Sequence, residues 1–193
     1  MNKNIEIEKR VMLSKEQYDA LLKYASNYQD RKTLKLINHY FDDEDLSLRK
    51  AHHMLRIRNI NNSEYELTLK VKGGNGDLEI NEPISCDEVS RLIKHFDNNN
   101  KEIKDRIRKV TQKEIKYITS LETNRIEIEF TNYLFVLDEN KYSGVIDYDL
   151  EIEANDLGTA NEVIEKYCIQ FGMQYDPKYC SKSRRAINKA LNI

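Results

Sequence analysis

Glu6, Glu8 and Arg10 occupy alternate positions in the segment Ile5-Glu6-Ile7-Glu8-Lys9-Arg10. In an extended chain all three point to one face, while Ile5 and Ile7 point to the other. The same alternation returns at Leu55-Arg56-Ile57-Arg58, Leu67-Thr68-Leu69-Lys70-Val71-Lys72, Arg125-Ile126-Glu127-Ile128-Glu129-Phe130 and Leu150-Glu151-Ile152-Glu153. Each segment alternates Leu, Ile or Val mostly with charges, and each keeps mostly one sign. Residues two apart on a strand lie roughly 7 Å from one another, so Glu6 and Glu8 can bind one divalent ion jointly or flank two. Carboxylates and water suit Mg²⁺ or Mn²⁺, which favour phosphate oxygens. Arg56, Arg58, Lys70 and Lys72 supply the forked and point donors that phosphates require. Acids for a metal beside cations for phosphate describe a site for a metal–polyphosphate complex. The competing explanation is a set of half-exposed strands with solvated charges.

Other chemistry-bearing residues carry less. His39, His52, His53 and His95 include one adjacent pair, and adjacent residues on a strand point apart, so solvated or packed histidines are expected. Gly73-Gly74-Asn75-Gly76 can cradle a phosphate through backbone N–H groups, but lacks the GKS/T ending of a P-loop; a mobile turn is expected. Cys86, Cys168 and Cys180 match no catalytic or zinc spacing. Tyr40, Tyr65, Tyr133, Tyr142 and Tyr148 are expected to pack on strands. The run from Lys178 to Lys189, with Lys182, Arg184 and Arg185, suits a charged helix surface.

The chain has 193 residues, 39% apolar and 33% charged, with a net charge of −2. That length suits one domain, 1–193, with a sizeable core. The near-neutral balance predicts no general attraction to nucleic acid or to an anionic membrane. The odd, widely spaced cysteines are expected as reduced thiols in a cytosol. There is no apolar run near the roughly 20 residues that span a bilayer and no signal-peptide pattern, so a cytoplasmic protein is expected.

These charges need elements to position them. Ser14 followed by Gln17 forms a capping-box pattern, and Tyr18, Leu21, Leu22 and Ala25 recur at helical spacing, predicting a helix from Lys15 to about Tyr28. Leu36–Asp42 predicts a strand ending in an acidic turn, and Ser47–His53 a polar connection. Asn61-Asn62-Ser63 predicts a hairpin between Met54–Ile60 and Tyr65–Lys72, with a further strand at Leu78–Ile84. Helices are expected from Asp87, with Val89, Leu92, Ile93 and Phe96 on one face, and over Lys101–Val110. The span Thr111–Thr119 is ambiguous. Ser120–Phe130, Leu134–Asp138 and Val145–Glu153 predict a meander. Thr159, with Glu162 three residues later, predicts a helix start, Gly172 its stop, and Ala186, Ile187, Ala190 and Leu191 a short final helix. Strands outnumber helices and the connections suit antiparallel pairing, so the class is α+β. Two architectures remain: an open sheet with a solvated charged face, or a closed barrel with its charged faces inward and helices outside.

The opening Glu6-x-Glu8-x-Arg10 resembles the ExExK signature of the CYTH superfamily, the triphosphate tunnel metalloenzymes. Leu55–Arg58, Thr68-Leu69-Lys70, Arg125, Asp138, Tyr148-x-Leu150-Glu151-Ile152-Glu153 and Ser181-Lys182 follow in matching order across nearly the whole chain. The length and the segments Asn38–Asp42 and Asp147–Glu151 are most similar to small Bacillus-type CYTH proteins that carry an adenylate cyclase label. Arg10 replaces the family's lysine, keeping the charge but not a tunable base.

The resemblance implies an eight-stranded antiparallel tunnel clad by helices with charges facing inward, and Mg²⁺ or Mn²⁺ with a triphosphate-bearing small molecule. Matching residue by residue, it implies Glu6, Glu8, Glu151 and Glu153 as metal ligands, with Glu127, Glu129 and Asp138 nearby. It implies Arg10, Arg56, Arg58, Lys70, Arg125 and Lys182 as phosphate ligands, and a catalytic set of Glu6, Glu8, Lys70, Glu151 and Glu153. Glu79 could join the acidic set, in a register the glycine turn leaves loose. The expected activity is hydrolysis of a triphosphate, inorganic or organic, by a monomer or homodimer. The alternatives are a class IV-type adenylyl cyclase and a polyphosphate- or nucleotide-binding module without turnover. Lys182 is expected to head a helix that closes over substrate without contributing to ligand-free stability.

Overall fold

The computed structural model describes residues 2–73, 76–176 and 180–193; the side chains of residues 2–4 and of Glu6 lie outside the description. Gly74 and Asn75 of the glycine cluster, and Lys178, are therefore outside the described residues.

The strands are β1 (Asn2–Leu13), β2 (Lys32–Asp42), β3 (His53–Ile60), β4 (Glu64–Val71), β5 (Asp77–Ile84), β6 (Lys116–Glu129), β7 (Tyr133–Tyr142) and β8 (Val145–Ala154). The helices are α1 (Lys15–Ala25), α2 (Ser47–Lys50), α3 (Cys86–Lys94), α4 (Lys101–Val110), α5 (Leu157–Phe171) and α6 (Lys182–Leu191). The antiparallel strands hydrogen-bond in the order β1-β5-β4-β3-β2-β6-β7-β8 and the order closes as a barrel. The class is α+β, as the alternation and short connections predict. Of the two architectures, the open sheet is excluded.

The chain forms two compact units, one of Met1–Ile5, Ile37–Leu121 and Ser183–Ile193 and one of Glu6–Leu36 and Glu122–Lys182. In the first, Leu55 and Ile57 of β3, Leu67 and Leu69 of β4 and Ile80 of β5 pack with Val89 and Leu92 of α3 and Ile103 and Ile107 of α4. In the second, Val11, Phe135, Leu137, Leu150 and Ile152 pack with Leu21 and Ala25 of α1 and Ile164 and Tyr167 of α5. Each fully buried Leu, Ile or Phe contributes about 1.5–3 kcal/mol from water exclusion. The period of two then dictates the rest: once the odd-numbered residues of β3 and β4 face helices, Arg56, Arg58, Thr68 and Lys70 must share the other face.

Local chemistry sets the boundaries. Ser14 Oγ accepts from Gln17 N–H at 3.2 Å while Gln17 Oε1 accepts from Ser14 N–H at 2.9 Å, so the predicted capping box starts α1. That helix ends at Ala25, earlier than Tyr28, with Ser26 as its C-cap. Asn61 and Asn62 both take positive φ, 52° and 58°, and turn β3 into β4. Ser143 and Gly144 do the same, at 44° and 77°, closing the two-residue hairpin between β7 and β8.

Three expectations are corrected. Asp156 caps α5, accepting from Thr159 N–H at 2.9 Å and Thr159 Oγ1 at 2.6 Å; Thr159 is inside the first turn. Ser85 caps α3 in a capping box with Glu88, so Asp87 is already helical. The segment after Asp43 includes α2, whose first turn Asp42 supports by accepting from Leu48 N–H at 2.9 Å and Arg49 N–H at 3.0 Å. Gly172, at φ 63°, stops α5 as expected. Among the described residues no helix is long and apolar enough to cross a membrane.

Candidate metal and phosphate site

In the second unit, β1 and β8 pair so that Glu8 lies opposite Glu153 and Arg10 opposite Glu151. Like charges directly across a ladder repel, so the Glu8–Glu153 pairing favours a cation. Oxygens of Glu8, Glu151 and Glu153 lie within 4.8 Å of one another. Their hard-oxygen chemistry suits Mg²⁺ or Mn²⁺ rather than a metal that prefers nitrogen or sulfur.

The cations around this cluster have defined partners. Arg10 pairs with Glu8 and lies 3.6 Å from Glu151 through Nε. Arg125, on β6 opposite Asp138 of β7, donates to both Asp138 oxygens at 2.8 Å. It also donates to Glu151 Oε2 at 3.0 Å and lies 3.6 Å from Glu127. Lys182 reaches Asp138 Oδ2 at 2.5 Å and Glu151 Oε1 at 3.2 Å. Asp138 and Glu151 are buried, at 0% and 2% exposure. Burial alone would raise their pKa values; Arg125 and Lys182 hold Asp138 low, and Lys182, Arg10 and Arg125 hold Glu151 well below the usual carboxylate range. Burial would lower Arg125, but Asp138 and Glu151 raise it well above the ordinary guanidinium value. Both carboxylates are ionised at neutral pH.

Predicted site residues therefore separate. Glu8, Glu151 and Glu153 come together. Asp138 is occupied by Arg125 and Lys182. Glu127 leans toward Arg125 and, with Glu129, Asp30 and Lys32, lines a cavity of about 400 Å³; Glu129 is exposed. The side chain of Glu6 lies outside the described residues. Lys182, expected to head a helix without contributing to ligand-free stability, is buried with its ammonium between two carboxylates.

Sequence reasoning missed a polar ladder on the same strands. Thr123 Oγ1 donates to Asn140 Oδ1 at 2.9 Å, and Asn140 Nδ2 donates to Asp149 at 2.8 Å and Asp147 at 3.1 Å. Tyr142 OH donates to Asp147 Oδ2 at 2.5 Å. The signal was present: positions 138, 140 and 142, and 147, 149, 151 and 153, continue the same period.

In the first unit, β3, β4 and β5 place Arg56 beside Thr68 and Thr68 beside Asn81, with Lys70 beside Glu79. Glu79 lies 3.7 Å from Arg56 and 3.8 Å from Lys70, and Lys70 3.5 Å from Asp77. Burial would raise Glu79, but Arg56, Lys70 and Arg58 lower it. The open question of its register is answered: Glu79 shares the face of these cations. The separations are longer than hydrogen bonds, so Arg56 and Lys70 are held to Glu79 mainly by charge. Arg58 Nε donates to Asn38 Oδ1 at 3.0 Å.

A CYTH domain model matches residues 4–179. The chain is 36% identical over 179 residues to the Bacillus subtilis (strain 168) protein named "Putative triphosphatase YjbK", covering 90% of each. Its structure resembles that of a Bacillus halodurans protein described as a "putative adenylate cyclase", with 29% identity, a TM-score of 0.83 and 95% and 98% of the two chains covered. HpAC1 from Hippeastrum, 20% identical with a TM-score of 0.76 and 93% of each chain covered, shares the fold. The alternating acids, the paired cations and these matches agree: the chain belongs to the CYTH domain family.

Proposed function

We propose that this protein is a divalent-metal-dependent hydrolase of the phosphoanhydride of a triphosphate, inorganic or organic. The observation that carries the reading is the convergence of Glu8, Glu151 and Glu153 beside Arg10, Arg125 and Lys182. The 36% identity to YjbK supports the reaction class. The inward orientation of the charged faces, which the family resemblance implies, belongs to the same reading.

Glu8, Glu151 and Glu153 would hold Mg²⁺ or Mn²⁺, with Glu6 of the same strand as a further ligand. The metal's chemistry there is neutralisation of phosphoryl charge and activation of water. Asp138 acts through its neighbours: it fixes Arg125 and Lys182, which in turn keep Glu151 ionised and oriented. Arg10, Arg125 and Lys182 carry the positive charge that stabilises a phosphoryl oxygen as negative charge builds on it. Arg56, Arg58 and Lys70 are assigned the same class of contact; Arg56 stands 3.7 Å from Glu79, beyond hydrogen-bond length, so turning to a phosphate breaks no bond there. Water attacks the terminal phosphorus, the bridging P–O bond breaks, and orthophosphate and a diphosphate leave.

A panel of inorganic and nucleoside triphosphates with Mg²⁺ or Mn²⁺ tests this, with orthophosphate release expected. The likeness to the Bacillus halodurans protein favours a cyclase as second reading, in which a ribose 3′-oxygen attacks the α-phosphorus. Cyclic AMP and pyrophosphate from ATP would establish it. Thermal stabilisation by triphosphates with no product from any of them would leave a binding module and overturn the enzyme.

A further inference from the structure

Asn38 sits in the aromatic strand β2, three positions before Phe41, which packs in the apolar core with Leu55 and Ile57. Asn38 therefore faces the other side, with Arg56 and Arg58. It is 1% exposed, and its Oδ1 accepts from Arg58 Nε at 3.0 Å. Because Arg58 Nε can only donate, the amide orientation is determined: oxygen toward the guanidinium, nitrogen away from it. Among the described residues Asn38 Nδ2 then has no hydrogen-bond partner, and Arg56 Nε on the same face has none.

A buried donor without an acceptor costs stability. Here there are two, one on a guanidinium and one on an amide that holds a second guanidinium. What they lack in common is an oxygen acceptor, and what their charge favours is an anionic one.

We propose that Asn38 is a polyphosphate-binding residue: Oδ1 fixes the fork of Arg58, and Nδ2 donates to a phosphoryl oxygen that Arg56 and Arg58 also hold. This rests on the triphosphate reading above. It adds a neutral residue to a set recognised by charge alone. It also explains why an amide stands there, since a carboxylate would hold Arg58 equally well and repel the anion.

The test is a double-mutant cycle of Asn38→Ala and Arg58→Met, with tripolyphosphate as the probe. Binding is measured by calorimetry in chelator, and KM and kcat with Mg²⁺. Asn38→Ala is expected to weaken binding by about 10- to 100-fold, the range for a bond to a charged group. In the Arg58→Met background it still weakens binding by about tenfold, because the Nδ2 contact is independent of Arg58. Equal affinity of Arg58→Met and the double variant would reduce Asn38 to a prop for Arg58 and overturn the proposal.

Asn38→Asp decides the question if Asn38→Ala fails to fold. It keeps the acceptor for Arg58, so its ligand-free melting temperature should be at least that of the wild type, while its affinity falls further than in Asn38→Ala. Wild-type affinity in Asn38→Asp would also overturn the proposal. A wild-type protein that neither binds nor hydrolyses tripolyphosphate or a nucleoside triphosphate would remove the triphosphate reading together with this one. Intact wild-type binding with a flat cycle removes Asn38 alone.

Discussion

Arg125 and Asp138 meet as a two-pronged ion pair, each prong at 2.8 Å, between residues directly opposite in the ladder of β6 and β7. A lysine at 125 would keep the charge but present a single point donor. Arg125→Lys should therefore lower unfolding free energy by about 1.5–3 kcal/mol, the cost of a lost charge-assisted bond, and lower turnover through Glu151. Urea denaturation checks the first effect; an unchanged midpoint would mean the second prong contributes nothing.

Lys182 carries a larger penalty. Its ammonium is 2.5 Å from Asp138 and 3.2 Å from Glu151, and the residue is 7% exposed. Removing one partner of a buried ion pair costs about 3–5 kcal/mol, because the remaining charges stay buried. Lys182→Ala should thus lower the ligand-free melting temperature as well as activity. Calorimetric melting without ligand decides between this and a purely substrate-facing lysine, for which the melting temperature would not move.

Glu151 and Glu153 should behave differently although they are two residues apart. Glu151 is held by Arg125 and Lys182, so Glu151→Gln should lose both stability and metal-dependent turnover. Glu153 faces Glu8 across the ladder, so Glu153→Gln relieves a repulsion and should lower the melting temperature by less than Glu151→Gln does. It should also lose most of the stabilisation that Mg²⁺ or Mn²⁺ gives the wild type. Melting curves with and without the ion report both, and an undiminished ion effect would exclude Glu153 as a ligand.

A fourth prediction concerns acid. Burial pushes Asp43 up, but Thr111 Oγ1 at 2.5 Å and the N–H groups of Ser47 at 2.9 Å and Asp45 at 3.0 Å hold it at about 2. Its folded pKa lies below the ordinary 3.8. Its stabilisation is therefore complete above the unfolded value and is lost as pH falls through about 2. The difference amounts to about 2.5 kcal/mol. Asp43→Asn should be less stable by that amount at neutral pH and should flatten the stability profile between the two values. Urea midpoints measured across that pH window check it.

Most of the fold was legible because two periods rarely conflict here. Leu150 and Ile152 against Glu151 and Glu153 allow one pairing face, and Lys101–Val110 falls where the apolar spacing of Ile103 and Ile107 puts it. Misplaced helix starts have one cause: Asp156, Ser85 and Thr159 are all competent caps, and tertiary geometry chose among them. The acidic trio of Glu8, Glu151 and Glu153 was legible from alternation and resemblance, and which acids are already neutralised was not. That depends on Arg125, Asp138, Glu151 and Lys182 meeting from distant parts of the chain. Asn38 was invisible for the same reason, since an amide in an aromatic strand acquires meaning only beside Arg58.

The strict alternation on β7 and β8 also restricts how relatives of this chain can vary in length. Inserting one residue between Leu137 and Asp138 would rotate everything beyond it by half a period. Asp138 and Asn140 would then turn to the face that Phe135 and Leu137 occupy, away from Arg125 and Asp149. Two residues restore the faces but shift Asp138 away from Arg125. The Ser143-Gly144 turn is nearly as intolerant, because its two positive φ angles set the register of the following strand. Viable insertions and deletions should therefore gather in connections outside the strands, leaving strand lengths constant.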